Sequence, residues 1–145
     1  MREIVTEIDI DAPAERVWGV LTDFESFPDW NPFVQSAEGK ATVGSRLNVH
    51  IVPPGGRGST FRPTVLVAEP NREFRWRGRL LVPGLADGEH VFEIEPRESG
   101  PTRFVQREEF RGPLWALLKG TLEKSEHGFH AMNAALKERA ESQGF

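Results

Sequence analysis

The chain of 145 residues contains no cysteine and no tyrosine. Without cysteine it can form no disulfide, thiolate nucleophile or cysteine-ligated metal site, and without tyrosine no phenol can act as an acid or base. No apolar run approaches the length needed to span a membrane, and the N-terminus lacks the apolar core of a signal peptide. We therefore expect a soluble cytoplasmic protein without stable membrane insertion.

Basic residues are also fewer than acidic ones. Lysine and arginine number 18 against 22 aspartates and glutamates, which gives a formal net charge of −4 at pH 7. This balance argues against a general nucleic-acid binder. At this length we expect one domain, residues 1–145, that is large enough for a core and a cavity.

Alternating apolar and polar residues, separated by turn residues, indicate strands through the middle of the chain. After an N-terminal strand that ends near Ile10, we predict strands at residues 34–39, 45–52, 60–69, 73–80, 88–95 and 102–110. Their spacing favours an antiparallel meander. Pro63 predicts irregular pairing inside one of them, because proline has no N–H to donate.

Helical spacing of apolar residues indicates a short helix after Asp11 and a long one over residues 113–142. The long helix carries one apolar stripe, made of Leu114, Leu118, Leu122, Phe129, Met132 and Leu136. Ser125 falls inside this stripe. It either bonds back to a carbonyl one turn earlier, on a helix that is merely packed on a sheet, or it borders a cavity.

Turn positions predict which residues face each other, because turn length fixes the register of an antiparallel pair. The predicted pairs are Ile94–Phe104, Phe92–Gln106, His90–Glu108, Trp76–His90, Phe74–Phe92, Val65–Trp76, Val67–Phe74 and Leu47–Val65. All the turns agree in parity, so these residues share one face. The other face carries arginines and glutamates in alternate strands, which is typical of a solvated sheet face.

His90, Gln106 and Glu108 are polar residues on this otherwise apolar face. Burying such groups without partners costs several kcal/mol, so the three need a reason. They could satisfy one another inside a filled core, or they could orient a ligand in an apolar pocket. We favour the pocket.

A run of residues near the N-terminus adds a family resemblance. It comprises Ala12, Pro13, Val17, Trp18, Leu21, Thr22, Asp23, Phe27, Pro28, Trp30, Asn31 and Pro32. This run resembles the opening of the START-like (SRPBCC, helix-grip) superfamily, which includes polyketide cyclases and lipid-transfer domains. The resemblance implies an α+β helix-grip fold, in which a curved antiparallel β-sheet wraps around a long C-terminal α-helix and encloses a cavity.

The resemblance implies three functions. The first is binding of a small hydrophobic ligand (a lipid, polyketide or isoprenoid-like molecule) without a cofactor. The alternative is a polyketide cyclase/dehydratase-type enzyme with His90 and Glu108 as catalytic groups. A third is a protein-binding regulator similar to the heat-shock ATPase activators. The sequence leaves the ligand, turnover and oligomeric state open.

The pattern and the resemblance together predict the site. The expected ligand-binding residues are Trp76, His90, Phe92, Phe104, Gln106, Glu108, Leu118, Leu122 and Phe129. We expect no metal, because His127 lies opposite the apolar stripe, and its polar neighbours His130, Glu123 and Glu126 suit a solvated face. The apolar hairpin tip at residues 81–85, together with Leu114 and Trp115 at the start of the last helix, can mark a gate over the pocket, a partner site or a membrane-touching edge. We favour the gate.

Overall fold

The computed structural model describes residues 2–80 and 82–142, with two antiparallel sheets and three α-helices. The larger sheet has the order β1-β8-β7-β6-β5, formed by β1 (Arg2–Ile10), β5 (Thr64–Glu69), β6 (Glu73–Leu80), β7 (Ala86–Glu95) and β8 (Thr102–Arg111). The smaller has the order β2-β3-β4, formed by β2 (Val34–Glu38), β3 (Asn48–Ile51) and β4 (Ser59–Phe61). The helices are α1 (Ala14–Thr22), α2 (Phe27–Trp30) and α3 (Lys119–Ser142).

The two sheets are joined at Pro63, where the predicted strand over residues 60–69 is split into β4 and β5. The Leu47 N–H donates to the Pro63 carbonyl at 2.8 Å, and the Val65 N–H donates to the Ser45 carbonyl at 2.9 Å. The irregularity predicted from Pro63 is confirmed. The predicted pairing of Leu47 with Val65 is wrong by two residues, because Leu47 lies opposite Pro63 instead.

The register of the central strands follows the prediction. Trp76 pairs with His90, and His90 pairs with Glu108. Phe92 likewise faces Gln106. These residues therefore share the face of the sheet that α3 covers, as predicted.

One predicted pair in β5 is wrong. A register shift lies between Val65 and Val67, so that Val67 faces Arg75 and Ala68 takes the place opposite Phe74. Such a bulge adds one residue to one strand of a pair. The turn-based register of β5 therefore holds at Val65 and fails beyond it.

Helix α3 packs its apolar stripe against β1, β8 and α1. Phe129, Met132 and Leu136 are fully buried there. The sheet and this long C-terminal helix form the α+β arrangement that the sequence predicted. In the described part of the chain, no helix is long and apolar enough to cross a membrane.

The prediction of one continuous helix from residue 113 is wrong. Pro113–Leu117 form a 3-10 turn, and α3 begins only at Lys119. The Leu118 N–H bonds to the Trp115 carbonyl at 3.0 Å, while the Trp115 indole donates to the Asp87 carbonyl at 3.0 Å. These bonds hold the segment against β7 and prevent it from continuing the axis of α3.

The outer face of the larger sheet carries the predicted alternation of charge. The Arg107 guanidinium lies 2.7 Å from the Glu109 carboxylate, 2.8 Å from that of Glu93 and 3.1 Å from that of Glu3. The hydrogen bond from Arg107 holds the pKa of the Glu109 carboxyl below its usual value. Paired charges of this kind suit a solvated face and leave the inner face for the core.

Candidate ligand-binding site

A cavity of ≈300 Å³ lies between the inner face of the larger sheet, the smaller sheet and the first turns of α3. Five aromatic rings form much of its wall: Phe33, Phe61, Trp76, Phe110 and Trp115. His90 and Glu108 also line it. An apolar chamber with a few polar groups is the usual form of a small-molecule site.

Two glycines make room for this cavity. Gly78 and Gly88 face each other across β6 and β7, next to the pair Trp76–His90, and both line the cavity. A Cβ on Gly78 would meet no atom within 4 Å, because the space in front of it is empty. The cavity therefore begins where two opposed positions of the inner face have no side chain.

Gly88 has a second effect, on the carboxylate of Glu108. A Cβ on Gly88 would overlap Glu108 Oε2. The missing side chain thus lets this carboxylate lie against β7, beside the imidazole. The sequence pattern predicted the row of residues but not this use of a glycine.

His90 is held firmly, with 2 % of its surface exposed. Its ring centroid lies 4.5 Å from that of Phe92, in a stacked arrangement, and 4.8 Å from that of Phe129. On another side the Trp76 ring lies at 5.3 Å. The imidazole is therefore fixed in position by three aromatic neighbours.

Both ring nitrogens of His90 have partners. Nε2 lies 2.8 Å from Gln106 Oε1, and Nδ1 lies 3.4 Å from Glu108 Oε1. Gln106 also bonds to Asn133 on α3. The two interpretations of these polar residues are therefore compatible. His90, Gln106 and Glu108 are partners of one another, and His90 and Glu108 also border the cavity.

The structure places the nine predicted site residues in two groups. Trp76, His90 and Glu108 border the cavity, and so does Ser125, the hydroxyl in the apolar stripe. The other six do not border it: Phe92, Phe104, Gln106, Leu118, Leu122 and Phe129. The expectation that these six line the cavity is wrong.

The reason for this difference is the position of each residue along the strands. Phe92, Phe104 and Gln106 lie farther along β7 and β8, where the side chains fill the space and all three residues are at most 1 % exposed. Leu118 and Leu122 instead pack in a small separate cluster with Ala86, Phe110 and Trp115. Leu118 and Leu122 therefore pack against residues of the cavity wall without bordering the cavity themselves.

Phe33 is a wall residue that was not predicted from the sequence. The Asn31 side chain accepts hydrogen bonds from the N–H groups of Phe33 and Val34, at 3.0 and 2.9 Å, and so fixes the turn before β2. A Cβ on Gly128 would overlap the Phe33 ring, so a glycine in α3 admits this ring. A glycine in mid-helix was the signal that could have indicated the close approach.

Cations lie at the cavity rim. Arg57 and Lys124 line it, and no acidic group lies within 4.0 Å of either in the described part of the chain. A third lining cation, Arg79, is paired with Asp87 at 3.6 Å. None of these three was predicted from the sequence as a site residue.

Part of the predicted gate, Leu81, lies outside the described residues. Val82, which is 61 % exposed, does not border the cavity, and neither do Pro83 and Leu85. Trp115, the second half of the predicted gate, does line it. The gate therefore stays a prediction.

No group of three or more potential metal ligands was found within residues 2–80 and 82–142. The histidine cluster on α3 is exposed, and His130 lies 3.9 Å from Glu126. This is the solvated helix face that the sequence predicted.

A cavity between a curved antiparallel sheet and a long C-terminal helix is the helix-grip arrangement. The chain belongs to the family described as polyketide cyclase / dehydrase and lipid transport, which matches residues 1–141. Comparison with curated proteins gives no match.

Solved structures share this fold. The Zhui aromatase/cyclase of Streptomyces sp. R1128 matches with a TM-score of 0.79 and 18% identity, over 98% of this chain and 94% of that one. A START superfamily protein of Mycobacterium smegmatis matches with a TM-score of 0.72 and 21% identity, over 98% and 99%. Norcoclaurine synthase of Thalictrum flavum, in complex with dopamine and hydroxybenzaldehyde, matches with a TM-score of 0.73 and 15% identity, over 99% and 88%. At these identities the likeness establishes the fold alone.

Proposed function

We propose that this protein binds a small hydrophobic molecule in the cavity, with its apolar part between the aromatic rings and a polar atom toward His90 and Glu108. The observation that carries the proposal is an aromatic-walled chamber bordered by His90 and Glu108, which are in contact with each other. A volume of ≈300 Å³ is at the lower end of the range for ligand sites, which suits a molecule of one to three rings or a short chain. The family description and the two aromatic molecules bound by norcoclaurine synthase support the same class.

Filling the cavity tests this function. Gly78→Leu places a side chain into empty space without a clash at Cβ. Gly19→Leu is the matched control, because Gly19 is exposed on α1 and its Cβ would also meet nothing within 4 Å. The probe is N-phenyl-1-naphthylamine, a neutral dye that fluoresces when it enters an apolar site.

We expect Gly78→Leu to lose at least tenfold in affinity for the dye while Gly19→Leu binds as the parent does. Thermal unfolding of both variants checks that they are folded. Equal affinity in the folded Gly78→Leu protein would show that the dye binds elsewhere and would overturn the proposal.

A catalytic role is the second candidate, and the contact between His90 Nδ1 and Glu108 Oε1 at the cavity favours it. An imidazole beside a carboxylate can give and take a proton, which is what a cyclisation or dehydration requires. The test compares the parent with Glu108→Gln on a poly-β-ketone thioester. The enzyme proposal requires that the parent forms cyclised product and that the variant keeps its affinity but loses the product. A parent protein that binds the thioester and never converts it would leave binding as the function.

A further inference from the structure

A chain of buried hydrogen bonds runs from the core to the cavity. The Thr6 hydroxyl donates to the backbone carbonyl of Gln106 at 2.8 Å. Asn133 Nδ2 donates to that hydroxyl at 2.9 Å, and Asn133 Oδ1 accepts from Gln106 Nε2 at 2.7 Å. Gln106 Nε2 also lies 3.3 Å from the Phe129 carbonyl, and Gln106 Oε1 lies 2.8 Å from His90 Nε2. Thr6, Gln106, His90 and Asn133 are all at most 3 % exposed.

The direction of every bond in this chain is fixed at its core end. A backbone carbonyl only accepts, so the single proton of the Thr6 hydroxyl goes to the Gln106 carbonyl. The hydroxyl must then accept from the Asn133 amide nitrogen, and this turns the Asn133 oxygen toward Gln106. The Gln106 nitrogen faces two acceptors and its oxygen faces His90. His90 must therefore carry a proton on Nε2.

The other nitrogen of His90 meets Glu108. If the imidazole is neutral and its proton is on Nε2, then Nδ1 presents a lone pair. An ionised carboxylate also presents only lone pairs, so the contact at 3.4 Å would be repulsive without a proton between the two atoms. The arrangement is favourable only when Nδ1 and Glu108 share one proton.

We infer that Thr6, Asn133 and Gln106 are positioning residues that fix a proton on His90 Nε2 and thereby place one exchangeable proton between His90 Nδ1 and Glu108. Glu108 is the partner that exchanges it with the cavity, because its side chain is 19 % exposed whereas that of His90 is 3 % exposed. The use of this proton in catalysis rests on the proposed function, whereas the experiments that test its position need no ligand.

The single proton between His90 and Glu108 can be transferred to a ligand. When Glu108 gives its proton to a ligand oxygen, one O–H bond breaks, another forms, and the carboxylate is left facing the Nδ1 lone pair. The carboxylate then takes a proton back, either from an acidic C–H of the same ligand or from water. Donation to a carbonyl and removal from a neighbouring carbon together convert a ketone to its enol, with no net change in the pair.

Nitrogen NMR of protein labelled with ¹⁵N-histidine tests the inference without any ligand. Four histidines give signals, and His90→Asn identifies those of His90. We expect Nε2 of His90 to stay protonated from mildly acidic to mildly alkaline pH. A spectrum in which Nε2 is the unprotonated nitrogen at alkaline pH would overturn the inference, whatever any variant does.

Two variants separate positioning from packing. Gln106→Met keeps an unbranched side chain of similar length but removes the acceptor for Nε2, so at alkaline pH the remaining proton should move to Nδ1, facing Glu108. Asn133→Asp disturbs the same network but still accepts from Gln106, so the proton should stay on Nε2. If both folded variants keep the proton on Nε2, or both lose it, the chain does not set the tautomer.

The outcome is distinguishable from failure of the proposed function. A protein that binds no apolar dye but shows the expected nitrogen signals would refute ligand binding and keep the hydrogen-bond chain. If Gln106→Met does not fold, the parent spectrum still decides which nitrogen carries the proton.

Discussion

Replacing Gly88 with alanine should separate Glu108 from His90 without removing either residue. A methyl group at this position would overlap Glu108 Oε2, and the carboxylate is the end of a flexible side chain that can turn toward the cavity. Gly78→Ala is a matched control, since Gly78 is the cross-strand partner of Gly88 and its Cβ would meet nothing within 4 Å.

The size of the effect follows from two opposing contributions. Alanine in a strand is favoured over glycine by about 0.5–1 kcal/mol, and both variants gain this. Gly88→Ala also loses the contact between His90 and Glu108. The separation of 3.4 Å is that of an ion pair rather than of a well-formed hydrogen bond, so we assign this contact about 1.5 kcal/mol, the lowest value for a hydrogen bond to a charged group. Gly88→Ala should therefore be about 1.5 kcal/mol less stable than Gly78→Ala, which corresponds to roughly 3–6 °C in Tm for a chain of this size.

Thermal unfolding of a double-mutant cycle measures this difference. In a Glu108→Ala background there is no carboxylate to displace, so Gly88→Ala should stabilise the protein as much as Gly78→Ala does. The coupling between Gly88→Ala and Glu108→Ala should be about 1.5 kcal/mol, the value estimated for the lost contact. If Gly88→Ala is as stabilising as Gly78→Ala while Glu108 is present, the Glu108 carboxylate does not lie against Gly88 and the expected coupling is refuted.

Three further outcomes are expected. Trp76→Ala should weaken binding of N-phenyl-1-naphthylamine by about 1–3 kcal/mol in a fluorescence titration, because one aromatic wall is lost; unchanged affinity would place the dye elsewhere. Because Arg107 lowers the pKa of Glu109 in the folded state, the stability this gives is present above the unfolded-state pKa and is lost as pH falls through the lowered value. Glu109→Gln should flatten the acid side of the curve of unfolding free energy against pH, and an unaltered curve would contradict this. In calorimetry, 2-naphthoate should bind more tightly than the isosteric 2-acetylnaphthalene because of Arg57 and Lys124. The variant with glutamine at both positions should bind the two molecules with equal affinity. If this variant prefers 2-naphthoate as strongly as the parent does, the preference comes from other groups.

The inner face of the sheet could be predicted from the amino-acid pattern alone. Turn lengths and the two-residue period of a strand are local properties, so they were enough to place Trp76, His90 and Glu108 in one row. The prediction failed where a single residue changed the count, at the bulge after Val65, because a bulge depends on how the partner strand packs. The helix predicted from residue 113 failed for a similar reason, since Trp115 bonds to the distant Asp87 carbonyl.

Tertiary packing sets where the apolar face is filled and where it is empty. Phe92 and Trp76 look alike in the pattern, yet Phe92 is enclosed by other rings, among them Phe74 and Phe104, while Trp76 borders the empty space in front of Gly78. The direction of the hydrogen bonds behind His90 was likewise invisible in the sequence, because it depends on which carbonyl lies next to which side chain. Empty space and bond direction arise from elements that are far apart in the chain, and so the pattern of residues could predict the face but not the site.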